Sequence, residues 1–139
     1  VTHKIMNEIK WSDVAEKVGQ SKEWTTAALL GQMSMTKDQA TAAANAMGLN
    51  LSPEEIAMLM TVPSRGSLDN PVPTDPLIYR LYELVQVYGT TFKALIEEEF
   101  GDGIMSAIDF EMDIDRKADP KGDRVVITLN GKFLPYKTY

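Results

Sequence analysis

At about residue 104 the chain changes its repeat. Before that point apolar residues recur at helical spacing; from Ile104 onward they recur every second residue. The two periods belong to helices and strands respectively. A run of helices followed by a run of strands, with no alternation between them, predicts an α+β fold rather than a doubly wound α/β one.

The segment VPSRGSLDNPVPTDP, residues 62–76, holds four of the seven prolines together with Gly66. Such a stretch reads as a linker. It divides the chain into residues 1–70, a helical bundle, and residues 71–139, a small mixed domain.

In the first part, IMNEIKWSDVAEKVG carries Ile5, Ile9, Val14 and Val18, with Ser12 as an N-cap and Gly19 as a stop. Ser21 precedes KEWTTAALLG, which ends at Gly31. ATAAANAMGL follows, and then SPEEIAMLM, with Ser52 as cap and Pro53 at the first helical position. WSDVAEKVGQ and SKEWTTAALLG together have the form of a helix-turn-helix.

In the second part, Asp75 and Pro76 open a helix whose stripe is Leu77, Leu81, Leu84 and Tyr88. Gly89 is expected to end it, and Thr90 or Thr91 to cap a second helix, FKALIEEEF, closed by Gly101. Ile104, Ser106, Ile108, Phe110, Met112 and Ile114 then share one parity. Asp109, Glu111, Asp113 and Asp115 take the other, as in a half-buried strand with a solvated acidic face. DPKGD is a turn, RVVITL a strand, and Asn130-Gly131 a hairpin turn into KFLPY. Two or three strands and two helices bury little alone. The surplus apolar face predicts an obligate homo-oligomer, at least a dimer.

Composition limits the chemistry. There is no cysteine, so disulfides and thiolates are excluded, and the single histidine, His3, falls in a terminus expected to be mobile. Catalysis would rest on Arg, Lys, Glu, Asp, Ser, Thr, Tyr or the backbone, a palette suited to positioning and charge stabilisation. The net charge of −6 argues against nucleic acid, which recruits clustered Lys and Arg. No apolar run approaches the roughly 20 residues of a membrane helix, which predicts a soluble, cytoplasmic protein.

Three polar residues sit oddly in apolar settings. Arg80 and Glu83, three apart, flank the helical stripe, and Ser106 lies on the apolar parity of the first strand. Each has a plain reading: a surface ion pair for the first two, a backbone-bonded hydroxyl for the third. Taken singly, these plain readings are the stronger ones; together the three residues leave open a small-anion site at an oligomer interface.

The segment PTDPLIYRLYELVQVYGTTFKALIEEEFGDGIMSAIDF resembles the signature of the cyanases (cyanate hydratases, cyanate lyases). KEWTTAALLGQ, VPSRGSL and VVITLNGKFLP resemble the family's N-terminal region, linker and C-terminal strand. The resemblance implies a lambda-repressor-like N-terminal bundle without a DNA-binding role. It also implies a C-terminal dimerisation domain of interlocked antiparallel strands and a decamer of five dimers. The implied reaction is the bicarbonate-dependent decomposition of cyanate to carbamate and carbon dioxide, with detoxification or nitrogen supply as its use. The implied catalytic residues are Arg80, Glu83 and Ser106. Ala107 offers a backbone donor, while Ile104 and Leu134 form apolar walls. No metal or organic cofactor is implied; bicarbonate is a co-substrate. The competing expectation is a helix-turn-helix DNA-binding regulator with a C-terminal dimerisation domain.

Overall fold

The computed structural model describes residues 1–66 and 68–139, and the chain divides into two units, Val1–Ser67 and Leu68–Tyr139. Among its described residues the first contains five helices: α1 (Thr2–Met6), α2 (Trp11–Val18), α3 (Lys22–Leu29), α4 (Lys37–Ala46) and α5 (Pro53–Met60). Its core is built from Val14, Val18, Ala28, Met35, Ala40, Ala43 and Met47. Small alanines let α2 and α4 approach closely, and Trp24, Ile56 and Leu59 pack around them.

Most punctuation in this unit follows the sequence. Gly19 ends α2 in the left-handed region with φ 77°, where glycine has no Cβ to clash. The Ser21 hydroxyl accepts from the Trp24 N–H at 3.1 Å. Ser52 and Glu55 form a reciprocal capping box over Pro53. Thr36 and Gln39 form a second such box at α4, which the sequence reading did not single out.

Two expectations fail here. Ser12 is not a cap: α2 starts at Trp11, Lys10 holds the N-cap position without a side-chain bond, and Ser12 donates to Asp13 instead. The backbone turns earlier, at Glu8, whose φ is 54°. His3 is not in a loose terminus: its Nε2 donates to the Met47 carbonyl oxygen at 2.7 Å, pinning α1 to the end of α4.

The second unit consists of one helix and one hairpin: α6 (Pro76–Phe100), β1 (Gly103–Lys117) and β2 (Arg124–Pro135). Asp75 caps α6 by accepting from the Leu77 and Ile78 N–H groups, both at 2.9 Å. Gly89 does not stop the helix, and no second helix is capped by Thr90 or Thr91; α6 runs unbroken to Phe100. A mid-helix glycine costs only about 1 kcal/mol relative to alanine, too little to break a long helix of good formers. The real stop is Gly101, at φ 88°.

β1 and β2 pair antiparallel around the 118–123 turn. Asn130-Gly131 is not a turn. β2 passes straight through it, with Asn130 opposite Glu111 and Gly131 opposite Phe110. The clean alternation predicted for β1 is also interrupted. Met105 faces Phe133 and Phe110 faces Gly131, so residues 106–109 of β1 oppose Lys132 alone. This is an enlarged bulge, four residues against one.

The two units differ in burial. The leucine stripe of α6, expected to be buried, is open in the single chain: Leu77 is 72% exposed. No residue of α6 or β2 is buried, and Ile108 at the bulge is 98% exposed. No helix among the described residues is long and apolar enough to cross a membrane.

Candidate functional site

Arg80 and Glu83 lie in the second and third turns of α6, three residues apart and so on one face. Arg80 Nη1 donates to Glu83 Oε2 at 3.1 Å. The guanidinium carbon stands 5.7 Å from the centre of the Tyr79 ring, within cation–π range. One edge of the fork is thereby tied to Glu83 and the plane steadied by Tyr79. Both charged side chains are solvent-exposed in the single chain, so here the ion pair orients more than it stabilises.

Ser106 is the reverse case. It is 4% exposed, in a hairpin whose flanking residues are open. Its hydroxyl oxygen accepts from two backbone groups, the Ile108 N–H at 3.0 Å and the Asp109 N–H at 2.9 Å. This is why β1 bulges: the side chain takes over two amides within its own strand. Ala107 lies inside the bulge without a cross-strand partner, while Ile104 and Leu134 face each other across the ladder just before it.

The geometry of α6 separates these groups. From Arg80 to Gly101 the helix advances about 31 Å. The five steps from Gly101 to Ser106 can recover at most about 18 Å. Within one chain their Cα atoms are therefore no closer than about 13 Å, and the two side chains cannot touch. One chain joins Arg80 to Glu83, and Ser106 to the Ala107 bulge and the Ile104–Leu134 pair, but it does not join the two groups.

Other concavities carry less chemistry. A groove of about 580 Å³ between α4 and α5 is lined by Leu49, Leu51, Ile56 and Met60, and its only charged side chain is Lys37. A smaller one of about 320 Å³ on the hairpin is lined by Asp109, Phe110, Glu111, Asn130 and Lys132. Neither contains Arg80, Glu83 or Ser106. Among the described residues, no group of three or more His, Cys, Asp or Glu side chains could hold a metal ion.

Residues 70–138 match the family described as "Cyanate lyase C-terminal domain", and residues 1–63 match "Cyanate hydratase, N-terminal". The chain belongs to the cyanate hydratase family. It is 64% identical over 139 residues to the cyanate hydratase of Dechloromonas aromatica (strain RCB), covering all of this chain and 93% of that protein. It is 65% identical, with the same coverage, to the cyanate hydratase of Ralstonia pickettii (strain 12J). The crystal structure of cyanase from T. urticae superposes with a TM-score of 0.82 at 36% identity, covering 99% of this chain and 95% of that one. The α+β reading and the family expectation therefore hold, and the chain is placed among lyases.

The helix-turn-helix alternative gains nothing from the structure. α3 opens with Lys22 and Glu23, and the lysine is paired with that glutamate at 3.0 Å. Sequence reasoning missed Gly131, which lies under the bulge beside Ser106. Its signal is present in the sequence, but Asn130-Gly131 is also a strong short-range hairpin signature.

Proposed function

We propose that this chain is a cyanate hydratase that decomposes cyanate with bicarbonate as co-substrate. The observation that carries this reading is the match to cyanate hydratases along its whole length. Bicarbonate oxygen attacks the cyanate carbon, forming a C–O bond. With one proton taken up, the adduct breaks at its bicarbonate-derived carbon, releasing carbon dioxide and carbamate. A second proton converts carbamate to ammonia and another carbon dioxide. No redox change is involved, and the reading calls for no metal or organic cofactor.

The residue palette suits two small anions. Arg80 offers a permanently charged planar fork to the carboxylate-like adduct, and Glu83 orients that fork. Ser106 donates its hydroxyl proton to a substrate oxygen, and the Ala107 N–H lies nearby as a further donor. Ile104 and Leu134 keep the site apolar, which strengthens every charge interaction inside it. Residues 71–139 form the catalytic and dimerisation domain, with the 1–70 bundle attached to it.

The exposed apolar surface of α6 and the hairpin supports a homo-oligomer, and the separation of Arg80 from Ser106 supports sites shared between chains. A decamer of five dimers is the assembly the family resemblance suggests. The protein is expected to work in the cytoplasm, removing cyanate or recovering its nitrogen, with no nucleic-acid or membrane partner.

The test is ammonia release from cyanate, measured with and without bicarbonate in carbon-dioxide-free buffer. Release that requires both anions supports the reading. Equal release in either buffer contradicts the proposed attack.

A further inference from the structure

Why does β2 carry a glycine at position 131, in mid-strand, where glycine is unfavourable? The backbone there is not left-handed, so conformational freedom is not the reason. The reason is space. A Cβ on Gly131 would fall inside contact distance of the Ser106 carbonyl oxygen and 2.5 Å from Met105 Cγ. A methionine side chain can move aside; a backbone carbonyl inside a hydrogen-bonded bulge cannot do so without carrying its residue along.

The bulge has a chemical consequence. A serine hydroxyl has two lone pairs and one proton. Both acceptor positions on Ser106 are taken, by the Ile108 and Asp109 N–H groups. Only the proton remains to be given, so the hydroxyl is matched to an acceptor such as an anionic oxygen and unsuited to taking up a proton. Two accepted bonds also fix the side chain, which removes the reorganisation a free hydroxyl would need on binding a ligand.

We propose that Gly131 is a positioning residue for Ser106: its missing side chain lets the 106–109 bulge settle onto β2, and the settled bulge turns Ser106 into a fixed, donor-only hydroxyl. This rests on the role given to Ser106 under the proposed function.

Four variants test it: Gly131→Ala, Ser106→Ala, the double Ser106→Ala/Gly131→Ala, and Met105→Ala/Gly131→Ala. Each is assayed for kcat and KM with cyanate and bicarbonate, with oligomer size and melting temperature recorded. Gly131→Ala is expected to lower kcat/KM about 10²-fold, within the range for loss of one preorganised donor. The decisive quantity is the coupling between the two sites. If Gly131 acts through Ser106, adding Gly131→Ala to Ser106→Ala costs no more than about threefold further. If Gly131 only supports the strand, the two losses multiply, and the proposal is overturned. Met105→Ala/Gly131→Ala removes the second clash, so it tolerates the new methyl better should Gly131→Ala assemble poorly. It is expected to remain as inactive as Gly131→Ala, and recovery of activity would place the effect in Met105 packing and sink the idea. The two levels separate cleanly. A fully active Ser106→Ala protein overturns the role of Ser106 itself, whereas an impaired Ser106→Ala beside a fully active Gly131→Ala overturns only the inference about Gly131.

Discussion

Arg80 carries the sharpest expectation at the level of single residues. Replacing it with leucine should lower ammonia release by about 10²–10³-fold. Arg80→Lys should also be poor, because an ammonium cannot reproduce a fork held by Glu83 on one edge. Near-normal turnover by Arg80→Lys would mean that charge alone suffices. Thr25 makes a different point. It is fully buried, and its hydroxyl has no hydrogen-bond partner among the described residues. An unsatisfied buried hydroxyl costs about 1–3 kcal/mol, so Thr25→Val should stabilise the helical unit by about 1 kcal/mol, read from chemical denaturation. An unchanged or lower midpoint would show that the hydroxyl is satisfied in solution. Arg80, Glu83 and Ser106 stand out in the sequence as candidates because their charge or polarity adjoins or interrupts an apolar pattern, while the roles given to them come from the family resemblance. Gly131 could not be read correctly, because its reason lies in a strand twenty-five residues away.

At the level of elements, caps were legible in part, with Ser12 misjudged and Thr36 missed, and interruptions were not. Ser21, Ser52 and Asp75 all cap as their positions suggest, because a cap is decided by two or three adjacent residues. Gly89 and the Asn130-Gly131 pair misled because each is only a tendency, which the rest of α6 or β2 outweighs. Ser52→Ala should cost about 1 kcal/mol by removing half of the α5 capping box, measurable as a lower denaturation midpoint. Glu54, in the same first turn, has its carboxyl held below the usual carboxylate range by backbone and Ser52 hydrogen bonds. Its folded value is depressed, so its contribution is present above the ordinary carboxylate range and fades as pH falls through the lower folded value. The Ser52→Ala penalty should accordingly shrink in acid; a penalty that grows there would contradict this assignment.

At the scale of the whole molecule, the second unit lacks an interior of its own, and its two groups of candidate residues cannot meet within one chain. The surplus of apolar strand and helix surface was readable in the sequence, but the spacing between Arg80 and Ser106 was not, since it depends on α6 being unbroken. If the site is shared, an Arg80→Leu protein and a Ser106→Ala protein, each nearly inactive, should complement after being unfolded and refolded together. The regained activity should be small yet exceed that of the two refolded separately, with subunit exchange verified by a mass tag. Complete exchange with no gain would mean that Arg80 and Ser106 do not serve one shared site. The unbroken α6 also acts as a ruler with a phase. Each residue added or removed between Arg80 and Gly101 would slide the arginine by about 1.5 Å and swing it by about 100° relative to the hairpin. Two extra full turns would nearly restore its direction while leaving it about 10 Å out of place. The length of this helix is therefore constrained separately from its side chains, and changes in chain length are better tolerated at the 62–76 linker and the 118–123 turn.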